Sequence, residues 1–516
     1  MWSKTKIIIL AIIVAFIAGN IPTLLDFFSQ NTNVTHAISN IYSTLNKYLY
    51  HLIIIYSLIV AYIIFLEGQN PDRTLLWLVA LIFIPVIGVL IYIIIGPDPS
   101  AYKRKREYMK PEIPENTECP EPSDCKSVSF LAKLLYSVSS AKLLKNNKVD
   151  ILIDGVETFT PLKKALREAT KYIHFQYFII NNDSLGQEIR DILIEAANRG
   201  VTVRVLYDAI GSWSLNKEYT QMLENAGIEC NSFYPVSFAR FRRKMNYRNH
   251  RKIVVVDGEI AFTGGLNIGD EYLGKGALGY WRDTHIRIVG EAVEELNKIF
   301  IHDWCTRTEE KQKDIYDEIK TLEKENNKDY TSLPETPLQV VPSGIFTPWH
   351  SIAKGYFSMI SRATERVWIA TPYFVPGNSL VDTIVNTSLS GVDVRLMMPR
   401  SKDHFLVHWA SKSNFEKLLI AGVRIFLYEK GFLHSKTMLS DKNVSSVGTC
   451  NMDVRSLEIN FENQLFIYDR EINNSFATQF EKDIKDCTEI TLEEWLKRPL
   501  WQKILESFGK LYSAQI

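Results

Sequence analysis

The chain has few cysteines and no excess of either charge. Its six cysteines include no C-x-x-C pair and no nearby ligand set at the spacing of a zinc site. The 59 acidic residues balance 59 basic ones, which argues against a general nucleic-acid coat, because attraction to a polyanion favours a strongly basic domain. We therefore expect reduced thiols in a reducing compartment and no nucleic-acid partner.

Long hydrophobic runs are confined to the first hundred residues. Tyr48–Leu66 and Leu75–Ile95 are each long enough to cross a hydrocarbon core of about 30 Å. Ile7–Phe28 is interrupted by polar residues, so a third span, a signal peptide and a re-entrant segment stay open for it. A basic cluster, Lys103–Lys110, follows the last run and predicts a cytoplasmic C-terminal part. We predict a membrane anchor of two or three segments over residues 1–98.

The rest of the chain reads as a linker and two similar halves. A basic juxtamembrane segment and a Pro- and Glu-rich linker are predicted at 99–145, and domains at 146–335 and 336–516. The halves are related because Arg199–Arg204 recurs, with changes, as Ser390–Arg395. This repeat predicts a pseudo-two-fold arrangement with the functional site between the halves.

Apolar periodicity predicts the elements of each half. The amphipathic runs 161–170 and 185–199 indicate helices, and the β-branched run 201–206 indicates a strand. The expected fold class is α/β, with N-terminal transmembrane helices followed by two similar α/β/α domains.

One motif, H-x-K-x-x-x-x-D followed by G and N, occurs once in each half. Two imidazoles on two similar scaffolds suit a phosphodiester exchange, one as nucleophile and one as proton carrier. A lone histidine in an apolar strand is more often a core residue, but duplication at fixed offsets reverses that preference. The matched residues are His250, Lys252, Asp257 and Asn267, and then His434, Lys436, Asp441 and Asn451.

The residues after His250 predict how the motif is placed. Ile253–Val256 indicates a buried strand closed by a turn, and side chains two apart on a strand share a face. His250 and Lys252 should therefore point into one pocket, where a lysine needs an anionic partner such as a phosphate. Asp257 and Asp441 each have two open interpretations, a turn former or an organiser of the site.

The paired motifs resemble those of the phospholipase D superfamily, and the wider pattern resembles the bacterial cardiolipin synthases. The extra hydrophobic run at the N-terminus departs from the usual two-span pattern of that family, which leaves the topology open. The similarity runs nearly end to end, and beyond the motif spacing it includes Asn70–Thr74, Asn249–Lys252, Gly265–Tyr272, Tyr280–His285 and Gly431–Lys436.

The resemblance implies a phosphatidyltransferase in a bacterial cell membrane, with catalytic domains in the cytoplasm. One phosphatidylglycerol would donate a phosphatidyl group, glycerol would leave, and a second phosphatidylglycerol would accept the group. His250 is expected to form a phosphohistidine and His434 to act as general acid and then base, although symmetry leaves the reverse open. The lysines, Asn267 and Asn451 would hold the phosphoryl oxygens, with no metal or other cofactor.

Two further sets of residues follow from alignment and composition. Aligning Asp283–Ile286 with Glu462–Leu465 suggests that Asp283 orients His250 and Glu462 orients His434, unless either acid is a surface strand residue. A basic run between Arg240 and Arg251 is either a solvated face or a contact for anionic lipid headgroups. Trp495–Leu511 predicts an amphipathic helix that lies either on a bilayer or on its own domain.

The motifs leave the acceptor open, because water or another alcohol would need the same residues. An inactive membrane scaffold predicts the loss of motif residues, and none is missing. A nuclease would fit isolated motifs but leaves the hydrophobic runs and neutral charge unexplained. Oligomeric state and acyl-chain preference are not readable from the chain.

Overall fold

In the computed structural model the chain forms two compact units. The described residues are 48, 51, 53–62, 64–65, 71–85, 87–88 and 92 in the first unit, and 126–234, 247–308, 310–323, 329–344, 347 and 349–512 in the second.

The first unit holds the helix α1 (Pro71–Phe83) and a small apolar core. Trp77 and Tyr92 meet edge to face there, with ring centroids 5.1 Å apart. Among the residues described, no helix combines the length and apolar character that crossing a bilayer requires. The predicted runs at 48–66 and 75–95 are described only in part, and the run at 7–28 lies outside the described residues.

The second unit begins with a helix and the first half of a duplicated α/β fold. In chain order its elements are α2 (Lys126–Ser139), β1 (Leu144–Ile153), α3 (Asp154–Glu168), β2 (Tyr172–Tyr177), α4 (Ser184–Asn198), β3 (Thr202–Asp208), α5 (Lys217–Asn225), β4 (Glu229–Phe233), β5 (Ile253–Val256), β6 (Ile260–Gly264), a 3-10 turn (Asp270–Leu273), β7 (Tyr280–Arg282), β8 (Thr284–Gly290), α6 (Ala292–Arg307) and α7 (Gln312–Glu323).

The second half repeats this order and adds elements at its C-terminal end. They are β9 (Glu335–Ser343), α8 (Ser351–Ser361), β10 (Arg366–Ala370), β11 (Phe374–Val375), α9 (Asn378–Leu389), β12 (Asp393–Pro399), α10 (Phe405–Lys412), α11 (Phe415–Ile420), β13 (Arg424–Tyr428), β14 (Gly431–Leu433), β15 (Thr437–Ser440), β16 (Val444–Gly448), β17 (Met452–Asp453), α12 (Val454–Glu458), β18 (Glu462–Ile467), α13 (Arg470–Ile484), β19 (Cys487–Ile490), α14 (Leu492–Leu496) and α15 (Leu500–Tyr512).

Both halves share one sheet. In the described part of the chain it has fifteen strands in the order β19, β13, β12, β10, β15, β16, β18, β9, β1, β8, β6, β5, β2, β3, β4. Outward from the antiparallel β9–β1 pair, each half repeats the same order, so the pair marks a pseudo-two-fold relation. A buried apolar cluster that includes Ile253, Phe300, Val340 and Leu465 crosses from one half to the other. The halves are therefore one body.

The predicted duplicated α/β fold is confirmed in this unit. The predicted helices at 161–170 and 185–199 correspond to α3 and α4, and the predicted strand at 201–206 corresponds to β3. The proposed boundary at 145/146 falls inside β1, and the boundary at 335/336 falls inside β9. Of the juxtamembrane segment and linker predicted at 99–145, residues 99–125 lie outside the described residues, and the rest contains α2 and the start of β1.

Candidate active site

The second motif is positioned by a strand that pairs with the first half. Strand β14 runs parallel to β7, with Leu433 opposite Arg282. One residue further on, the backbone N–H of His434 donates to the carbonyl oxygen of Arg282 at 2.7 Å. This pairing sets His434 beside Asp283, which is the next residue of the first half.

The first motif is positioned in the same way by the second half. Asn249 forms a parallel bridge with Phe461, and the backbone N–H of His250 donates to the carbonyl oxygen of Phe461 at 2.9 Å. His250 therefore lies beside Glu462, at the start of β18. Each histidine is thus carried by one half and held against the other.

Asp283 and Glu462 each contact a motif histidine, but the predicted pairing is wrong. His250 Nδ1 lies 2.9 Å from Glu462 Oε2, and His434 Nδ1 lies 2.6 Å from Asp283 Oδ2. The prediction assigned each acid to the histidine of its own half. The partners are exchanged because the segment before each histidine hydrogen-bonds to the segment before the acid of the other half.

Both imidazoles are almost fully buried, with exposed fractions of 7% for His250 and 6% for His434. Burial lowers the pKa of both rings, and the positive charges of Lys252 and Lys436 lower it further. The charged Glu462 carboxylate at Nδ1 of His250 requires that nitrogen to donate, which leaves Nε2 of His250 free to act on a substrate. Both rings are therefore neutral before any anion binds.

The two motif lysines, Lys252 and Lys436, are buried. Lys252 Nζ donates to the carbonyl oxygen of His250 at 2.8 Å and lies 5.4 Å from the centre of the Phe178 ring. Burial and the charge of Lys436 hold the pKa of Lys252 well below its usual value. Burial lowers the pKa of Lys436 to about 8, although Asp283 and Glu462 oppose that shift. Two mutually repelling cations form a site that an anion would stabilise.

His250 and Lys252 precede the strand on which they were predicted. Strand β5 begins at Ile253, and its four residues are buried. The alternation of side chains nevertheless begins earlier, since His250 and Lys252 both contact Phe178. Arg251, between them, is directed away and pairs with Asp303.

Asn267 and Asn451 are buried near the motifs. Asn267 donates to the hydroxyl oxygen of Tyr272 at 2.9 Å, and that hydroxyl lies 3.3 Å from His434 Nδ1. The carboxamide oxygen of Asn451 has no hydrogen-bond partner among the described residues. Their predicted contact with phosphoryl oxygens stays a proposal.

Asp257 and Asp441 are turn formers at the far end of the motif strands. The Asp257 carboxylate accepts from the backbone N–H groups of Thr170, Lys171 and Tyr172 at 2.8–3.0 Å. Asp441 repeats this arrangement with residues 364–366. The contacts match the first of the two open interpretations, a turn former, because the oxygens of both aspartates anchor backbone at the end of β5 and β15 away from the histidines.

Several residues at the site escaped the sequence reasoning. Asp303 accepts from Arg251 Nη1, from Asn249 Nδ2 at 2.8 Å and from Gln176 Nε2 at 2.8 Å. Arg251 also donates to the carbonyl oxygen of Glu462 at 3.0 Å. This buried network fixes the residues on both sides of His250. The available signal was that Asp303 falls on the buried side of α6 with Leu296, Phe300 and Trp304, since a buried carboxylate needs partners.

Gly265 is a second feature that sequence reasoning did not interpret. A Cβ added there would lie 2.0 Å from Asp283 Oδ1, so the missing side chain makes room for the acid behind His434.

The predicted basic run is only partly described. Arg248 and Arg251 are buried and pair with Asp208 and Asp303, so these two are not available to lipid headgroups. Residues 240–244 lie outside the described residues. Cys119 and Cys125 do as well, whereas Cys230 and the three cysteines that follow it are free thiols, as predicted.

The chain matches two family models. Residues 162–304 and 356–484 match the PLD-like domain of cardiolipin synthase, and residues 52–97 match the phospholipase D-nuclease N-terminal model. Among solved structures, a phosphatidylserine synthase of Haemophilus influenzae Rd KW20 aligns with a TM-score of 0.55 and 18% identity, covering 75% of this chain and 98% of that chain.

Curated relatives extend the similarity over most of the chain. Cardiolipin synthase 2 of Bacillus anthracis is 40% identical over 464 residues, covering 87% of this chain and 88% of the relative. Cardiolipin synthase of Halalkalibacterium halodurans is 37% identical over 475 residues, covering 90% and 92%. Cardiolipin synthase 1 of Staphylococcus aureus (strain COL) is 39% identical over 475 residues, covering 89% and 95%.

The duplicated α/β fold, with paired histidines and lysines between its halves, and the matched PLD-like domain define an enzyme of the phospholipase D type, which the cardiolipin synthase relatives make a phosphatidyltransferase. Identity near 40% along nearly the whole chain then narrows the class. The chain belongs to the cardiolipin synthase family, which confirms the resemblance seen in the sequence.

Proposed function

We propose that this enzyme makes cardiolipin and glycerol from two molecules of phosphatidylglycerol through a phosphatidyl-histidine intermediate. The observation that carries the proposal is the pair of buried His–carboxylate couples, one from each half, beside two buried lysines. Such a site can attack a phosphodiester, protonate its leaving alcohol and then run the same step with a new alcohol.

In the first step, the lone pair of His250 Nε2 attacks the phosphorus of a bound phosphatidylglycerol. The bond between phosphorus and the glycerol headgroup oxygen breaks, and that oxygen takes a proton from His434 Nε2. Binding of the phosphodiester anion beside both lysines raises the pKa of His434, which lets this imidazole carry the proton. Glycerol leaves, and the phosphatidyl group stays on His250.

In the second step, a headgroup hydroxyl of another phosphatidylglycerol attacks the same phosphorus. His434 takes the hydroxyl proton, the bond between phosphorus and nitrogen breaks, and His250 regains its lone pair. One phosphodiester replaces another, so the direction depends on lipid supply and on the escape of glycerol. Burial of both imidazoles supports this cycle, because water would otherwise compete for the intermediate.

The different settings of the two acids favour His250 as the nucleophile. Burial alone would raise the pKa of Glu462, but His250 and Lys252 hold it below its usual value, so this carboxylate stays charged. Burial raises the pKa of Asp283. A charged acid behind His250 stabilises the imidazolium that forms when Nε2 becomes bonded to phosphorus. In the same proposal, Lys252, Lys436, Asn267 and Asn451 hold the phosphoryl oxygens.

The proposal also places the enzyme on a bacterial cell membrane with its catalytic halves in the cytoplasm. It rests on the hydrophobic runs at 48–66 and 75–95 and on the basic residues at 103–110 that follow them. Anchoring would hold the site in the plane that contains both substrates.

The test uses the purified full chain with headgroup-labelled and acyl-labelled phosphatidylglycerol in detergent and in liposomes containing a chelator. We expect cardiolipin and glycerol in equal amounts, and we expect neither product from His250→Ala or His434→Ala. Phosphatidic acid without cardiolipin would show that water is the acceptor. A new lipid formed only when another alcohol is added would show a phosphatidyltransferase with a different acceptor. No product from any phospholipid would refute the proposed activity.

A further inference from the structure

The C-terminal helix α15 packs on its domain with its polar side and leaves its apolar side exposed. Glu506 is only 4% exposed and Gly509 is buried, whereas Leu500 and Leu511 are each 72% exposed and Ile504 is 59% exposed. A helix that only covered a protein core would show the opposite pattern. Trp501 and Phe508, at 55% and 47%, extend the exposed apolar face.

The orientation of α15 is fixed by specific contacts. A Cβ at Gly509 would lie 2.5 Å from the backbone nitrogen of Ala410, so the helix approaches α10 too closely for a larger residue. Arg498, just before the helix, donates to Glu506 at 3.0 Å and to Glu416 at 2.8 Å. Because this ion-paired anchor holds the polar side inward, the exposed apolar face is part of the folded arrangement.

The apolar face continues onto α10. Trp501 meets the Trp409 ring edge to face at 5.7 Å, and Phe405, at the start of α10, is 48% exposed. Lys402 Nζ lies 5.0 Å from the Phe405 ring, and Lys412 Nζ lies 5.2 Å from the Trp409 ring.

Positive charge surrounds this face. Burial and the charge of Arg400 lower the pKa of Lys412, Glu506 opposes that shift, and Lys402 adds to it. On the other flank of α15, Lys503 and Lys510 border a cavity of about 500 Å³ that Leu389 also lines. Apolar side chains flanked by lysines match the two layers of an anionic bilayer surface, acyl chains and phosphate headgroups.

The same surface adjoins the candidate active site. Ser401, in the segment before α10, donates to the carbonyl oxygen of Gly431 at 3.0 Å. Gly431 begins β14, the strand that leads to His434. Asp403, two residues further along that segment, is close enough for its charge to act on both His434 and Lys436. The segment that leads into α10 is therefore in contact with the strand that carries His434.

We propose that the exposed face of α15, together with Phe405, is a docking surface for the anionic phospholipid bilayer that brings the active site to its lipid substrates. This rests on the proposed function, because it concerns how the same site reaches phosphatidylglycerol. The proposal predicts that the apolar residues of this face increase the reaction rate only when the substrate is in a bilayer.

The first test is the full-length double variant Ile504→Gln with Leu511→Gln. Its rate on vesicles of equal phosphatidylglycerol and phosphatidylcholine should fall at least tenfold. Its rate on dihexanoyl phosphatidylglycerol below the micellar concentration, with enzyme in non-ionic detergent, should stay within twofold of wild type. The matched control is Met222→Gln, because Met222 is 38% exposed on α5 at the opposite, β4 end of the sheet. A double variant equal to wild type on vesicles, or equally impaired on both substrates, would overturn the proposal.

The second test locates Trp501 directly. In vesicles containing phospholipids brominated on their acyl chains, wild type should lose more emission than Trp501→Phe, and the difference should be larger with phosphatidylglycerol than with phosphatidylcholine. Equal quenching in both proteins, or no dependence on lipid charge, would contradict an anionic bilayer contact. If Trp501 of the wild type is not quenched and the double variant forms a smaller oligomer than the wild type, the exposed face of α15 binds a second copy of the chain instead of the bilayer. Wild type that makes no cardiolipin from either substrate would instead refute the proposed function.

Discussion

The exchange of acids between the halves predicts different roles for Glu462 and Asp283. Glu462 is fully buried and accepts from His250 Nδ1 at 2.9 Å, so Glu462→Gln would keep its shape but remove the charge behind the nucleophile. The amide can also donate to Nδ1, which favours the tautomer whose Nε2 carries a proton and cannot attack. Loss of a correctly oriented imidazole typically costs about 10²- to 10⁴-fold in rate.

A substrate with a good leaving group separates the two couples. Phosphatidyl-p-nitrophenol releases p-nitrophenolate without needing a proton, so only the His250 couple limits the first turnover. Glu462→Gln should slow the burst of p-nitrophenolate about 10²- to 10⁴-fold. Asp283→Asn should keep the burst at one equivalent per chain but slow later turnovers, because His434 must activate the second alcohol.

Stopped-flow absorbance measures the burst, and thermal unfolding checks that each variant is folded. Asp150→Asn, at a part-buried pair with Arg287, is the matched control and should behave as wild type. A burst lost in Asp283→Asn but kept in Glu462→Gln would reverse the assigned roles. Equal effects of both substitutions on the burst would refute the argument that the two acids act through different histidines.

Further predictions concern Gly265, Asp257 and Lys436. Gly265→Ala should lower the steady-state rate at saturating substrate at least tenfold, because its Cβ would lie 2.0 Å from Asp283 Oδ1. Gly377→Ala is the control and should keep the wild-type rate, because there is open space around its Cβ. Asp257→Ala should lower the free energy of unfolding by about 1–3 kcal/mol through its lost backbone hydrogen bonds, while the folded enzyme keeps its rate. Because the pKa of Lys436 is lowered to about 8, KM for phosphatidylglycerol should rise above that pH as the cation is lost, and Lys436→Arg should abolish this rise. The folded protein binds the Lys436 proton more weakly than the unfolded chain does, so the free energy of unfolding should increase as pH rises from about 8 towards the usual pKa of lysine. A melting temperature that does not increase over this pH range would contradict the burial of Lys436 as a cation.

Local patterns in the sequence were sufficient for much of the fold. Periodicity placed α3, α4 and β3, because each buries one face and its apolar residues repeat with the period of the element. Duplication of the motif identified His250 and His434 as a pair, since structural histidines have no reason to recur with the same neighbours. The site at the junction of the halves also followed from the repeat.

The amino-acid pattern was therefore enough to give the composition of the site and the existence of two equivalent halves. Which half completes which site depends on the folded chain. An alignment of Asp283 with Glu462 establishes that they are equivalent, but equivalence does not say whether each contacts the histidine of its own half or of the other. That choice depends on the parallel pairing of β14 with β7 and on the bridge between Asn249 and Phe461, which are contacts between residues about 150 or more positions apart in the chain. Such long-range hydrogen bonds leave no local periodicity, so they are specified by how the two halves pack and not by any single segment.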